Sequence, residues 1–489
     1  MTSLRLSDRA GRGVLLATVL ASGMAFLDST IVNVALPRIG HDLTASLADL
    51  QWTINAYTLT LAALVLIGGV LGDRYGRRKV FLIGVVWFTL SSMLCGIAPS
   101  VPLLIAGRAL QGIGAALLTP GSLSLIQSSF VPEERAKAIG AWAGLGGVAG
   151  AIGPFIGGYL VDTWSWRFAF YLNVPLAALV IFATLRWVPE SRADEVEPGA
   201  GGRFDVGGAL LGAIGLGGVT YALVEAPGQA GTVAVWAAAV MGVAALAGFV
   251  WVEHRERHPM LPPQVFASAQ FSAINVVTLF VYAGLSGVFF FLVLQLQVVA
   301  RFSALQAGVS LLPMTVVMLA FSSLSGSLAQ KIGPRIPLVA GPLMGAAAVL
   351  LMLRIGPGAS YVWDVLPAVT LMGLGMTTVV PPLTSTVLAV VADRYSGVAS
   401  GVNNAVSRAG GLLAVAALPL VVGLSGASYQ NAGALNGGFR TAMMVCAALF
   451  ALGAVIALVF VRGKAATPPP ERHRCSVLTP MEPGVRTQH

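Results

Sequence analysis

Three ionisable side chains stand well inside long apolar runs of this chain, and their types set the chemistry it could do: Asp28, Arg108 and Arg408. A carboxylate in hydrocarbon is costly unless it is paired, hydrated or protonated, so Asp28 is a candidate proton carrier. It lies roughly 8 residues from the outer end of its run, ~12 Å at 1.5 Å per residue. Arg108 lies about 5 residues, or ~8 Å, into another run from the same side. The similar depths let the two communicate. Protonation of Asp28 would release Arg108 or a cationic ligand, and deprotonation would recapture one of them. An arginine keeps its own proton, so Arg108 would tune the carboxylate and not carry the proton. The plainer alternatives are a static ion pair for Asp28 and a donor to backbone carbonyls for Arg108. Arg408 has no acid on a neighbouring run in sequence.

The elements that must position these groups are spanning helices. The chain has 489 residues, is 56% hydrophobic and only 10% charged, and has a mean hydropathy of +0.83. Its apolar runs recur at about 20 residues, the length that crosses a bilayer as a helix. The alternating ~10-residue segments of a membrane β-barrel are absent. The fold class is therefore an all-α polytopic membrane protein. Fourteen spans are read near 14–36, 51–71, 80–98, 103–128, 138–160, 168–188, 206–226, 231–252, 272–299, 305–329, 336–354, 364–390, 397–423 and 439–462. The first is too long for a signal-peptide core of ~7–15 residues, so it reads as a true span.

A dense charged turn orients the set. Asp73, Arg74, Arg77, Arg78 and Lys79 crowd between two apolar runs, with Gly69, Gly72 and Gly76 allowing a sharp bend. Such a cluster belongs at a membrane face, and its cationic excess makes that face cytoplasmic. With both termini on that side, about 22 of the 29 Lys and Arg fall inside, the sign expected of a cytoplasmic face. The net charge of +9 is then explained by topology and does not call for nucleic acid. Three cysteines, Cys95, Cys446 and Cys475, imply no disulfide framework.

An internal repeat sets the domain organisation. Gly112, Gly114 and Pro120 recur at identical spacing as Gly373, Gly375 and Pro381. The charged turn has a worn copy in Gly326, Lys331, Gly333 and Arg335, with Gln330 where the first copy has Asp73. The expected boundaries are a cytoplasmic N-terminus at 1–13, a six-helix bundle at 14–188, a linker at 189–205, two inserted helices at 206–252, a cytoplasmic loop at 253–271, a second six-helix bundle at 272–462 and a disordered tail at 463–489. Two parallel six-span halves are one architecture of secondary transporters.

With these motifs in order, the chain resembles the major facilitator superfamily, and more narrowly its fourteen-span drug:proton antiporters of EmrB/QacA type. The resemblance covers 14–462. It is carried by Leu27–Pro37 in the first span, the Gly69–Lys79 loop, Arg108–Ala115 in the fourth span, and Gly140 with Gly153, Pro154, Gly157 and Gly158 in the fifth. One departure is Ala149, where the pattern has Gly. The resemblance implies the major facilitator fold with 6 + 2 + 6 helices, proton coupling through Asp28 and Arg108, and a cytoplasmic gating loop at Gly69, Asp73, Arg74, Gly76, Arg77, Arg78 and Lys79. Asp73 would latch onto the other half when the protein opens outward. Gly140, Gly153, Pro154, Gly157 and Gly158 would form a bendable, tightly apposed antiporter seam.

Polar residues on other spans are candidates to line the substrate cavity: Asn33, Asn55, Tyr57, Gln111, Gln295, Asn404 and Arg408, with Gln297 and Asn403 beside them. Asn404 and Arg408 share a helix face, whereas Gln295 and Gln297 do not. Glu225 and Asp364 read as solvated rim charges. No phosphate loop is present, so no ATP-driven pump, cofactor, metal site or enzyme activity is expected. The glycine clusters at 144–147 and 215–218 lie in apolar runs without a βαβ context and read as helix contacts. The expected function is proton-coupled efflux of hydrophobic or amphipathic, cationic drugs or antibiotics by alternating access, in a monomer whose partners are the bilayer, the substrate and protons. The alternatives are a narrow exporter of an endogenous metabolite, amino acid or siderophore, and, from a different class, a membrane sensor that does not transport.

Overall fold

The computed structural model describes residues 4–192, 206–229, 231–255, 263–266, 268–391 and 396–462. The tail at 463–489, most of the linker and the Gln330 side chain lie outside the described residues. Among the described residues, thirteen helices are long and apolar enough to cross a membrane, and a pair bent by 49° makes a fourteenth. In chain order they are α1 (Arg9–Asp42), α2 (Leu47–Tyr75, the bent one), α3 (Arg77–Ile97), α4 (Val101–Ser129), α5 (Pro132–Thr163), α6 (Phe168–Trp187), α7 (Val206–Gln229), α8 (Val233–Arg255), α9 (Ala269–Leu294), α10 (Ala304–Ala329), α11 (Arg335–Met352), α12 (Tyr361–Ala389), α13 (Ser396–Val421) and α14 (Ala432–Phe460). Several overrun the apolar stretches expected, because a helix continues into the polar membrane face until a cap stops it. Reciprocal Ser–acid or Ser–amide caps start two of them: Ser46 with Asp49 opens α2, and Ser303 with Gln306 opens α10. Asn431 caps α14 through the N–H groups of Gly433 and Ala434. A π-helical segment, Gln295–Val299, extends α9.

The two halves repeat one another in three dimensions. In the first, α1 packs on α5 and α6, α4 on α2 and α3, and α3 on α6. In the second, α9 packs on α13 and α14, α12 on α10 and α11, and α11 on α14. The pattern is the same, element for element. Gly112 abuts the backbone of α2 at Tyr57, and its counterpart Gly373 abuts α10 at Met314. The turns after α2 and α10 both pivot on a glycine at positive φ, Gly76 at 110° and Gly333 at 83°.

Among the described residues, the hydrogen bonds that join the halves lie at one end. Pairs α5–α10 and α2–α13 form the seam, related by the same two-fold logic. At the end opposite the Gly69–Lys79 loop, Leu47 N–H donates to Gly426 O (2.8 Å), and Gln51 Nε2 donates to Val415 O (2.7 Å) and Ala416 O (3.0 Å). Tyr429 Oη donates to Ala45 O (2.9 Å), and Gln297 Nε2 to Val34 O (2.9 Å). Asp162, at the end of α5, accepts from the first free N–H groups of α10, Ala304 (3.0 Å) and Leu305 (2.8 Å). A side chain added at Gly158 would meet Ala304 O at 2.5 Å, so α5 and α10 touch backbone to backbone there. At the loop end, no hydrogen bond joins the halves among the described residues. Side chains built at Gly140, Gly144 and Gly147 of α5 would meet nothing within 4 Å. Among the described residues, the halves are thus joined at one face and parted at the face bearing the charged loop.

The inserted pair has a definite place. α7 lies against α2 and α13, the two helices of one seam, and α8 packs on α7. Glu225 of α7 accepts from Trp52 Nε1 of α2 (3.0 Å). Glu225, expected as a solvated rim charge, is half-buried, and its other oxygen accepts from Gln229 at an exposed position (3.2 Å). Asp364 likewise has partners: Arg354 at 3.5 Å and the Ser360 N–H at 2.9 Å.

The Asp162 contact yields a prediction. Hydrogen bonds to an ionised acceptor contribute about 1.5–3 kcal/mol when shielded and less at an exposed position. Asp162→Ala therefore loosens the sealed end without unfolding either half. Labelling of a cysteine placed at Asn33, by a membrane-impermeant maleimide added on the Asp162 side, should rise several-fold. Unchanged labelling would remove Asp162 from the seal.

Candidate functional site

The two charges singled out in the first and fourth spans are in direct contact. Asp28 of α1 and Arg108 of α4 form a buried ion pair, Nη1 to Oδ2 at 2.5 Å, with side-chain exposures of 0% and 2%. Small residues on α4 make this reachable. Gly112 lets the α2 backbone lie against α4, and Gly107 does the same for Cys95 of α3. Arg108 Nε then donates to Thr53 O of α2 (3.0 Å), and its Nη1 also donates to Gln111 Oε1 (2.7 Å). Its guanidinium lies over the Tyr57 ring, 4.4 Å from the centroid.

The carboxylate is saturated as well. Asp28 Oδ1 accepts from Gln111 Nε2 (2.8 Å) and from Asn173 Nδ2 of α6 (3.1 Å). Asn173 Nδ2 also donates to Ser92 Oγ (2.9 Å), which donates onward to Phe170 O (2.9 Å). Three helices, α1, α4 and α6, therefore meet at one negative charge, and α2 and α3 hold its partners through Thr53 and Ser92. Asn173 was missed by the sequence reading, although a lone amide within an apolar span is the signal that could have found it.

Next to this network, between the halves, lies a cavity of about 410 Å³, within the ~300–1,000 Å³ typical of small-molecule pockets. Phe26 and Asn33 of α1, Asn55 and Tyr57 of α2, and Arg108 wall one side. Tyr282 and Phe289 of α9, with Asn404 and Arg408 of α13, wall the other. A smaller space of about 90 Å³ continues toward the loop face past Ser22, Leu61 and Thr119, and Arg408 borders both. Asp28 does not line the cavity. Arg108 stands between it and the open volume.

The expected cavity residues divide. Asn33, Asn55, Tyr57, Asn404 and Arg408 line it. Gln111 belongs to the Asp28 network instead. Gln295 is a correction: it is buried at the sealed end, where Nε2 donates to Ile355 O (2.8 Å) and Asn436 Oδ1 (2.7 Å). The π-helical winding at 295–299 sets where it points, and periodicity alone cannot show that. Asn403 is bonded within its own half, to Asn275 Oδ1 (3.2 Å) and Thr278 Oγ1 (2.7 Å). The wall also offers no carboxylate to a cation among the described residues.

The motif glycines of α5 divide in the same way. Gly153 and Gly157 abut α1 at Thr30 and Ile31, and Gly158 abuts α10, whereas Gly140 faces open space and departs from the tight seam expected of it. Pro154 lies within the helix, its carbonyl against Gly308. In the charged loop, Asp73 pairs with Arg77 of its own motif (2.8 Å), and Arg74 stacks on Tyr75. Arg77 N–H donates to Ser191 O (2.9 Å) and Arg78 N–H to Glu190 Oε1 (3.1 Å), so the chain following α6 closes over Gly76. Gly69 rests against Pro120, and Lys79 is exposed.

Comparison with known proteins fits this geometry. The family model of the Major Facilitator Superfamily matches residues 18–415. The multidrug resistance protein Stp of Mycobacterium tuberculosis (strain CDC 1551 / Oshkosh) is 35% identical over 412 residues, 83% of this chain and 75% of that protein. The puromycin resistance protein pur8 of Streptomyces alboniger is 36% identical, over 91% of this chain and 90% of its own. The methylenomycin A resistance protein of Bacillus subtilis (strain 168) is 34% identical, over 93% and 95%. Among solved structures, an inward-facing, unoccupied bacterial homologue of the human lysosomal transporter Spinster superposes with a TM-score of 0.67 at 18% identity, over 92% of this chain and 97% of that one. A POT family transporter in complex with 5-aminolevulinic acid gives 0.69 at 14% identity, over 92% and 96%. These two show the fold alone.

Removing one partner of a buried ion pair costs about 3–5 kcal/mol, because the other charge is left without compensation. Losing one neutral donor costs about 1 kcal/mol. Arg108→Ala should therefore lower the thermal midpoint in detergent far more than Asn173→Ala. Equal midpoints, or the reverse order, would show that Arg108 is compensated elsewhere.

Proposed function

The chain belongs to the major facilitator superfamily, a multi-pass cell-membrane transporter family, and on that premise we propose that it exports drug-like small molecules in exchange for protons. The face bearing the Gly69–Lys79 loop is cytoplasmic in this reading, because basic residues concentrate there. The state described is then inward-facing: the outer seam is closed and the cavity is reached from the cytoplasm. Export alternates this arrangement with one in which the outer seam parts and the loop ends close. The free inner half of α5, at Gly140, Gly144 and Gly147, is the surface that gains a partner in that second state. Asp73, which pairs within its own half here, is free to do the same.

The observation that carries the proposal is that Arg108 is shared. One edge of its guanidinium holds the buried Asp28 carboxylate, and its side chain also walls the cavity. A proton on Asp28 removes the charge that holds Arg108, so the protonation state reaches the cavity through one side chain. The supply is adequate: one charge moving across 100 mV is worth ~2.3 kcal/mol. Relatives named for multidrug resistance and for resistance to single antibiotics support drug export. Those named for one compound, puromycin or methylenomycin A, favour a narrow substrate range as the second reading.

The test uses proteoliposomes with an imposed pH gradient and an internal pH dye. A substrate found by screening antibiotics should stimulate proton flux in the wild type. Asp28→Asn should abolish that flux while substrate still binds. Flux that persists in Asp28→Asn would exclude Asp28 as the coupling site.

A further inference from the structure

Arg408 is the one cavity charge that the proton-coupling network does not absorb. It projects from α13 of the second half, opposite the Asp28 network of the first, and borders both cavity spaces. Its one recorded hydrogen bond is to the neutral Asn404 Oδ1, Nε at 2.8 Å, and among the described residues it has no ion-pair partner. Acids cannot reach it from the wall, because the lining includes no Asp or Glu. The buried carboxylate of the first half, Asp28, is already held by Arg108, Gln111 and Asn173.

Two further observations point to a ligand. Asn55 is fully buried and lines the same cavity, yet neither Nδ2 nor Oδ1 has a partner. A buried amide left unpaired costs about 1–3 kcal/mol, so this group is built to meet something that enters. The aromatic lining could in principle cradle a cation, but Arg108 already covers the Tyr57 ring at 4.4 Å. Tyr282 and Phe289 stand on the same side as Arg408 and offer apolar faces to a ring.

We infer that the cavity selects acidic, ring-bearing amphiphiles, whose anionic group sits on Arg408 and whose polar edge pairs with Asn55, and that it disfavours lipophilic cations. A guanidinium suits a carboxylate, sulfonate or phenolate because its planar fork presents parallel donors. This inference rests on the cavity being the cargo site and is independent of which ion drives the cycle.

The test is equilibrium binding in detergent, by fluorescence anisotropy, with no gradient present. Two probes share one xanthene frame: fluorescein, an anion, and a cationic rhodamine ester. Fluorescein should bind the wild type at least tenfold more tightly. Arg408→Gln should weaken fluorescein at least tenfold and leave the rhodamine unchanged or stronger. Arg408→Lys, which keeps the charge but not the fork, should retain part of the affinity and shows that the site tolerates substitution. Arg408→Glu should reverse the preference. Preference for the rhodamine, equal binding of both, no fluorescein binding, or fluorescein binding unchanged in Arg408→Gln overturns the inference. Because binding is read without transport, a failure of export leaves this result standing, and a cation preference leaves the export reading standing.

Discussion

The first half of this protein is organised by the cost of one buried negative charge. An ionised carboxylate taken out of water loses several kcal/mol of solvation even after relaxation, and only a close counter-charge with further hydrogen bonds repays it. Asp28 obtains these from Arg108, Gln111 and Asn173. The requirement propagates outward. Gly107 and Gly112 must be small for α4 to reach its neighbours, and Thr53 must present its carbonyl to hold the guanidinium. A site assembled in this way makes the same residues a structural core of the first half.

The second half has the same helix arrangement but a different electrostatic content. At the matching position of α12, Gly373 and Gly375 preserve the close approach that Gly112 and Gly114 give α4. The chain places no buried ion pair there among the described residues. Its charge, Arg408, instead faces the cavity from α13. The repeat thus keeps the same backbone contacts in both bundles, while the charged side chains differ: a buried ion pair in the first half and a cavity-lining arginine in the second.

Closure at one end rests on backbone as much as on side chains. Gly158 and Gly308 bring α5 and α10 together, and Asp162 satisfies N–H groups at the start of the opposing helix. These contacts are modest singly and numerous together. α7 covers the other seam, with Glu225 anchored to Trp52 beside Gln51. Of the inserted pair, α7 therefore lies against this seam, and α8 packs on α7.

Sequence alone determined the class, the number and rough limits of the spans, the two-fold repeat and the nearness of Asp28 to Arg108. These follow from local rules: the length of apolar runs, the rarity of charge in hydrocarbon and the spacing of glycines and prolines. It did not determine which side of each helix faces which neighbour. Gln111 and Gln295 are both amides in apolar spans, yet one binds the Asp28 carboxylate and the other caps carbonyl groups far from the cavity. Asn173 joined the network unannounced, and the cavity wall proved cationic where a cation site was expected. In a chain that is apolar all round its helices, periodicity carries little information about orientation. Facing direction is decided by the mutual fit of fourteen helices, a property that exists only once they are packed.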